Sequence, residues 1–307
     1  KGGDGGEIET SGFELNVTGI DVDATASKGD HGLWLLDPFD YTLDESDTAI
    51  IQSVLIEGTS VTISTVAPSN SIGVDTISAD DDDSNGGTII VNGSISVPAG
   101  GSATGNLTLD ADEDIQINVA LANDSGSGNL TLNSKTGVSI NPGASISWNP
   151  GGEGGATISS SESGGLSGLG SISMSSGTLT ILQPEGSDTT FDGSLDFSGS
   201  SQFVKDGPGA LQIDGSNQLN NFPILIQSGV LRIQGNTSFN SGTSVNVADG
   251  SRLELEVDAG IAQSYAGSIA GSGDVRKIGS GDLLFDNNQN GVYSYSGLTE
   301  IAAGKLS

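Results

Sequence analysis

One segment of the chain repeats itself closely. Residues 105–118 read GNLTLDADEDIQIN and residues 128–141 read GNLTLNSKTGVSIN, with seven of fourteen positions identical at an interval of 23. Such a return is typical of a solenoid, because a single repeat buries its apolar face only against the next copy. The interval therefore predicts stacked coils in which equivalent residues lie above one another.

Short alternating runs surround this repeat. Apolar residues recur at every second position in segments such as 60–65, 94–97 and 178–182, which is the period of a half-buried strand. Gly, Asn, Asp and Ser cluster between the runs, and these residues suit tight corners. No segment keeps a 3.6-residue period for twelve residues, so the sequence predicts no helix, and residues 258–270 are interpreted as strand and turn.

These patterns predict an all-β fold: a parallel β-helix (β-solenoid) with 20–23 residues per coil that continues through residues 1–307. The chain would form on the order of 14 coils and a rod about 65 Å long. Its sub-regions are 1–45, 46–200, which holds the repeat, and 201–307. Tandem β-sandwiches are the alternative, but they do not require a residue-by-residue return, and the LxxLxL spacing of leucine-rich repeats is missing.

Charge narrows the range of partners. Nine Lys and Arg residues stand against 39 Asp and Glu residues, which gives a net charge of −30. Binding to nucleic acid or to an anionic membrane depends on clustered cations, so we expect neither partner. The chain contains no Cys, and no apolar run reaches the roughly 18 residues of a membrane-spanning helix, so we expect no disulfide framework and no membrane insertion.

The amino-terminal region carries a family resemblance. Residues 2–46 contain EIETSG followed by WLLDPFD, an arrangement that resembles a segment of the filamentous haemagglutinin-like exoproteins of two-partner secretion. The matching residues are Gly5, Gly6, Glu7, Glu9, Thr10, Ser11, Gly12, Trp34, Leu35, Leu36, Asp37, Pro38 and Asp40.

Two later segments resemble the autotransporter-associated β-strand repeat. They lie at 203–233 and 275–306, and each carries a Lys, a GxG, an apolar strand, an Asn- or Asp-rich turn, a second strand and a closing GxL. The two lysines are Lys205 and Lys277. Each unit is about as long as one coil, in agreement with the central repeat.

Together these resemblances imply a right-handed parallel β-helix from a secreted or surface-exposed bacterial adhesin. It would act without catalysis, as a rigid stalk or binding surface in cell attachment or biofilm. An outer-membrane transporter would be its partner during secretion, and its target would be a host surface, a glycan or a receptor on a neighbouring cell. We expect the chain to be a segment of a longer exoprotein, and both the two-partner and the autotransporter routes stay open.

An acidic run is the candidate metal site. Asp80, Asp81, Asp82 and Asp83 could supply oxygen ligands to Ca²⁺, although adjacent side chains point in different directions and the ligand spacing of a calcium loop is missing. A solvated acidic loop is the alternative reading, and residues 110–114 form a second acidic turn of the same kind. No other cofactor is expected. A Ca²⁺-dependent extracellular matrix or structural protein is therefore one alternative function.

A polysaccharide-acting enzyme is the other alternative, because lyases and hydrolases are also built on β-helices. Such an enzyme needs two carboxylates across a groove, or carboxylates for a metal and a basic residue that takes a proton. The acids are scattered through the chain, and the single His, His31, has no partner at catalytic spacing. The sequence therefore identifies no catalytic residues.

The WLLDPFD motif also poses a structural question. Its aromatic residues, with the Tyr that follows, are Trp34, Phe39 and Tyr41, and they would form either a sugar-stacking platform or a plug in irregular core space. We favour the plug. Asp37 and Pro38 are likewise interpreted as structural residues.

Two asparagines occupy equal positions in the central repeat. Asn118 and Asn141 are expected to form a stacked amide ladder that satisfies buried polar groups by hydrogen bonds along the stack, as in cross-β structures. A ligand site is the less favoured reading.

Overall fold

The structure, a computed structural model, describes residues 3–66, 87–98, 105–124, 127–150, 154–162, 164–214, 218–234, 238–286 and 291–307. Two parallel sheets, each of 11 strands, run through these residues from the first coil to the last. A third face is built by a sheet of five strands and, further along, by a second sheet of five strands. The parallel β-helix predicted from the sequence is therefore confirmed.

The faces are named sheets A to D. Sheet A consists of β1 (Glu7–Gly12), β2 (Leu33–Pro38), β4 (Ser60–Ser64), β7 (Leu107–Ala111), β10 (Leu130–Ser134), β13 (Gly155–Ser160), β16 (Thr178–Leu182), β19 (Gln202–Asp206), β22 (Pro223–Ile226), β25 (Ser244–Val247) and β28 (Ser268–Gly271). Sheet B consists of β3 (Tyr41–Leu43), β5 (Ile89–Val91), β8 (Asp114–Ile117), β11 (Gly137–Ile140), β14 (Leu166–Gly168), β17 (Asp188–Phe191), β20 (Ala210–Ile213), β23 (Val230–Ile233), β26 (Arg252–Glu256), β29 (Asp274–Ile278) and β31 (Thr299–Ile301).

The third face is shorter in both of its parts. Sheet C consists of β6 (Ile95–Val97), β9 (Ala120–Asn123), β12 (Ser145–Trp148), β15 (Ser171–Met174) and β18 (Ser194–Phe197). Sheet D consists of β21 (Gln218–Leu219), β24 (Ser238–Phe239), β27 (Ala262–Tyr265), β30 (Asp282–Phe285) and β32 (Lys305–Leu306). Residues 258–270 form a turn, β27 and the start of β28, as the sequence predicts.

Alternation along each strand builds the core. In β7 and β10 every second side chain is buried, and Leu107 and Leu109 lie beside Leu130 and Leu132 of the next coil. Burying one such leucine contributes roughly 1.5–3 kcal/mol, and each coil repeats the gain. The core is therefore continuous along the axis, as a stack of coils requires.

The coils are longer and fewer than the sequence predicts. Equivalent residues are 23 positions apart between β7 and β10, 26 between β10 and β13 and 21 between β22 and β25, with about 24 as the usual spacing. Eleven coils give a stack about 50 Å long at about 4.8 Å per coil, in place of 14 coils and 65 Å. The difference arises partly because β4 pairs with β7 over 46 positions, so one coil holds an insertion between β4 and β5.

The prediction that the chain has no helix is wrong. Helix α1 (Glu45–Ile56) occupies the third face in an early coil, and it buries Ile51, Val54 and Leu55. Asp44 caps its first turn, and Gln52 accepts a hydrogen bond of 2.9 Å from the backbone N–H of Ser96 in β6. The helix therefore covers the β6 edge of sheet C, an edge that would otherwise offer unpaired backbone groups.

Candidate binding groove

An open groove of about 380 Å³ lies along the corner where the chain passes from sheet A to sheet B. Ligand sites commonly enclose about 300–1,000 Å³. The groove crosses four successive coils, because its walls come from the turn after β4, from the ends of β7, β10 and β13 and from the turns after them. Val66 contributes an apolar wall, and the polar side chains include Asp110, Asp112, Asn133, Lys135, Ser159 and Glu162.

Backbone hydrogen bonds hold the three turns in register. The N–H of Lys135 donates to the carbonyl of Glu113 at 3.0 Å, and the N–H of Glu162 donates to the carbonyl of Lys135 at 3.0 Å. The N–H of Ser161 likewise reaches the carbonyl of Ser134 at 3.0 Å. Each turn therefore presents its side chains directly beside those of the next coil.

Asp110 is the electrostatically unusual group of the groove. Burial, and then repulsion from Asp112, raises the pKa of the Asp110 carboxyl above its ordinary value. Among the described residues no donor forms a hydrogen bond to this carboxyl. Its capacity to accept a bond from a ligand hydroxyl, or to donate one when protonated, is therefore unused.

Asn133 and Ser159 form the polar floor between the turns. The hydroxyl of Ser159 donates to Oδ1 of Asn133 at 2.5 Å, so the two side chains of neighbouring coils are fixed relative to one another. Lys135 adds a cation to the same groove. The groove thus offers both donors and acceptors, which is the mixture that polyhydroxylated ligands need.

An apolar patch continues the same corner toward the amino terminus. Phe13 and Phe39 follow directly after β1 and β2, and their rings stack with centroids 5.0 Å apart. Both are exposed, at 68% and 47%, so the interpretation of Phe39 as a core plug is wrong. Trp34 and Tyr41, in contrast, are buried, because they point inward from β2 and β3.

The other residues of the WLLDPFD motif hold this corner together. The indole N–H of Trp34 donates to the hydroxyl of Thr10 at 3.1 Å. Pro38 is buried beside Gly12 of the previous coil. Asp37 is half-buried, and burial, followed by repulsion from Glu9, raises the pKa of its carboxyl.

Asn118 and Asn141 lie in one column, and the column continues to a third residue. Nδ2 of Asn141 donates to Oδ1 of Asn118 at 2.5 Å, and Nδ2 of Asn118 donates to Oδ1 of Asn92 at 2.8 Å. The column lies on a half-exposed corner rather than in the buried interior that the sequence analysis expected. The sequence does not predict a role for Asn92, because the coil that holds it does not share the repeated sequence.

The sequence identifies two lysines of the β-strand repeat but does not predict that they are buried. Lys205 and Lys277 are fully buried, and each ammonium group donates to three backbone carbonyl oxygens. Lys205 donates to Asp206, Gly207 and Ser228, the last belonging to the next coil. The signal was the shared K-x-G-x-G pattern, in which a glycine at positive φ turns its carbonyl toward the lysine.

The three arginines form a ladder of ion pairs on sheet B. Arg232 Nε lies 2.9 Å from Glu254, Arg276 Nη1 lies 3.3 Å from Glu254, and Arg276 Nε lies 3.0 Å from Glu300. Arg252 joins the same cluster at 3.7 Å. These cations all lie after residue 200, so the groove is left in an acidic part of the molecule.

The candidate calcium ligands cannot be placed in this geometry. Asp80, Asp81, Asp82 and Asp83 lie outside the described residues. Within the described ranges no group of three or more acidic or His side chains is arranged to hold a metal ion. Calcium binding by the acidic run stays a prediction, and thermal melting with and without millimolar Ca²⁺ is its test.

No family model, no curated protein and no solved structure matches the chain. Among the described residues, no helix is both long and apolar enough to cross a membrane.

Proposed function

We propose that this chain is a rigid segment of a secreted or cell-surface bacterial adhesin, in which the β-helix acts as a stalk and presents a binding surface. The observation that carries the proposal is the continuity of sheets A and B, which pass through 11 strands each. Every coil is bonded to the next along two faces, so a load along the axis is shared by many backbone hydrogen bonds.

The resemblances at the two ends support the same reading. The EIETSG and WLLDPFD motifs build the first coils, and the two K-x-G-x-G units build coils near the other end. Under this proposal an outer-membrane transporter exports the chain, and the target is a host surface, a glycan or a receptor on a neighbouring cell. The net charge of −30 supports the expectation that nucleic acid and anionic membranes are not partners.

Single-molecule pulling from the two termini tests the stalk. We expect stepwise extension in increments of about 80 Å, because one coil of about 24 residues extends at about 3.6 Å per residue and loses its rise of about 5 Å. Leu132→Asp, which places a charge in the core, is the control and should lower the force of the first step. Smooth extension at negligible force would contradict a load-bearing stalk.

Attachment of coated beads under flow tests the binding surface. Beads carrying the folded chain should be retained on at least one of three surfaces, coated with glycans, with extracellular-matrix proteins or with bacterial cells. Beads carrying the Leu132→Asp variant should be retained less. If the folded chain is retained on none of them, the adhesive part of the proposal fails while the stalk part stands on the pulling result.

A polysaccharide-acting enzyme is the second candidate, and one observation favours it. Asp110 has a raised pKa and lies in a groove with Asp112 and Glu162, as the general acid of a glycosidase would. Release of reducing ends from neutral polysaccharides, lost in Asp110→Asn, would establish this function in place of the non-enzymatic one.

A further inference from the structure

We propose that the corner between sheets A and B is a binding track for an uncharged polysaccharide chain, which lies along the solenoid axis from Phe13 and Phe39 through Val66 to the groove that ends at Glu162. The inference rests on the proposed function, because it names the ligand class of that binding surface. It uses the groove and the exposed aromatic pair, which neither the core nor the strand ladders require.

The register of sheet A places the track residues in one line. Strands β1 and β2 end opposite each other at Gly12 and Pro38, and Phe13 and Phe39 follow. The same register continued past β4, β7, β10 and β13 adds Val66, Asp112, Lys135 and Ser161. Six coils separated by about 4.8 Å give a track about 24 Å long, which suits a chain of several sugar rings better than a single sugar.

The two halves of the track match the two kinds of surface on a sugar ring. Sugar C–H groups are apolar and pack against aromatic side chains, which the exposed pair of Phe13 and Phe39 offers at one end. Sugar hydroxyls need donors and acceptors together, and the groove supplies Lys135, Asn133 and the unused carboxyl of Asp110. A wholly apolar ligand would leave these polar groups without partners, at a cost in free energy.

The negative charge of the groove favours an uncharged polysaccharide over an anionic one. The groove presents Asp110, Asp112 and Glu162 against one cation, Lys135. A uronic-acid, sulfated or sialylated glycan would meet repulsion from these carboxylates and from the net charge of −30. A cationic peptide would be attracted to the same acids, but it has no need of the aromatic pair, so the two ligand classes respond differently to substitution.

Isothermal titration of the full chain with defined oligosaccharides tests the track. The neutral probes are cello-, manno-, xylo- and chito-oligosaccharides of two to six rings, the anionic probes are oligogalacturonates, and the cationic probe is oligolysine. We expect at least one neutral series to bind, with affinity that rises with chain length, and no binding of oligogalacturonates. No binding of any neutral series at millimolar concentration would overturn the proposal.

Matched variants locate the binding. Phe39→Ala and Asp110→Ala should each weaken binding of the neutral oligosaccharide at least fivefold. Leu169→Ala, which removes an apolar side chain that is 59% exposed and lies away from the track, should leave it unchanged. Equal affinity of all three variants would place the ligand elsewhere and overturn the track. Oligolysine binding that is unaffected by Phe39→Ala and abolished by salt, with no neutral binding, would show a peptide surface instead.

The results of the binding experiments do not depend on whether the chain acts as a load-bearing stalk. Circular dichroism melting of Phe39→Ala and Asp110→Ala should stay close to that of the unsubstituted chain, since both side chains are only partly buried and lie outside the core. The pulling experiment does not involve the track. If no saccharide binds, the result of the pulling experiment is unaffected. If the chain extends smoothly at negligible force, the stalk proposal fails, but the titration still tests saccharide binding.

Discussion

At the scale of single residues, the most unusual groups are cations inside the solenoid. Burial lowers the pKa of the Lys205 ammonium to about 8, and burial also lowers the pKa of Lys277. Backbone carbonyl oxygens surround each group, and no carboxylate among the described residues lies within ion-pair distance of either. A buried charge held only by dipoles is costly, which is the cause of both shifts.

These shifts predict that stability increases with pH above neutrality. The folded pKa of Lys205, about 8, is below the unfolded value of 10.5, so between them the unfolded chain binds more protons and the free energy of unfolding rises with pH. Urea unfolding at pH 7, 8, 9 and 10 should show this rise. The variant Lys205→Met/Lys277→Met should show a flatter profile, and an identical slope would refute the assignment.

Buried tyrosines set the upper limit of the pH range in which the lysine contribution can be measured. Burial raises the pKa of Tyr41 and Tyr265, and it raises that of Tyr293 to about 12, in each case from 10.0. Above pH 10 the unfolded tyrosines lose protons first, so the free energy of unfolding falls again. The lysine contribution is therefore read between pH 8 and pH 10.

The amide column is the second feature at this scale. Asn118→Leu removes the hydrogen bonds to Asn92 and Asn141, and we expect a loss of about 1–2 kcal/mol at roughly 0.5–1.5 kcal/mol per bond. Asn246→Leu is the matched control, because Asn246 points outward from β25 and its side chain forms no hydrogen bond within the described residues. Equal unfolding midpoints for both variants in urea would argue against a stabilising column.

The sequence predicts a structural residue most readily where that residue recurs in a repeat. Asn118 and Asn141 were visible because two coils share a sequence, whereas Asn92 performs the same role in a coil that does not. Phe39 was misassigned because the burial of an aromatic residue after a strand depends on one step of register, and Trp34 and Tyr41 point inward while Phe39 does not. The groove was not predictable, since it combines turns from coils whose pairing only the fold establishes.

At the scale of elements, helix α1 is the one departure from strand and turn in the described chain. Its signals were present: Asp44 precedes Asp47 by three residues, the spacing of a capping box, and Ile51, Val54 and Leu55 recur at helical intervals. At 12 residues the helix gives only about three turns of pattern, and its β-branched residues also suit strands. The sequence pattern of α1 is therefore also compatible with a strand.

The cap gives the helix a direct test. Asp44 accepts hydrogen bonds from the backbone N–H groups of Ser46 and Asp47 at 2.7 and 3.1 Å, so Asp44→Ala should cost about 1 kcal/mol. Hydrogen exchange of residues 45–56 should accelerate in this variant. Glu45→Ala, an exposed first-turn substitution, is the control, with an expected loss of a few tenths of a kcal/mol. Equal exchange in the two variants would show that the cap does not hold the helix.

At the scale of the whole molecule, the fold follows from periodicity while the number of coils does not. Inward and outward alternation, corner residues and one repeat were enough to predict stacked parallel coils. The predicted count is too high because coils differ in length, from 20 positions between β20 and β23 to 48 between β3 and β5. Corners absorb extra residues without disturbing the strands, so their lengths leave little trace in the pattern.

The stacking predicts that one coil can be removed if the register is kept. Deleting residues 107–129 removes β7, β8 and β9 and joins Asn106 to Leu130, which restores the Asn-Leu junction of the deleted coil. Leu130 then takes the place of Leu107 beside Val61, and β11 and β12 meet β5 and β6. We expect a cooperatively melting rod, shorter by about 5 Å in small-angle scattering.

Deleting one residue more, 107–130, is the matched comparison. Thr131 would then follow Asn106, and a slip of one position turns the buried side chains of β10 outward and its polar ones inward. Two leucines would leave the core and a Thr and an Asn would enter it, so the melting temperature should fall well below that of the 23-residue deletion. If both deletions melted alike, the corner would be absorbing the slip, and the interval of 23 would not be the quantity that fixes the stack.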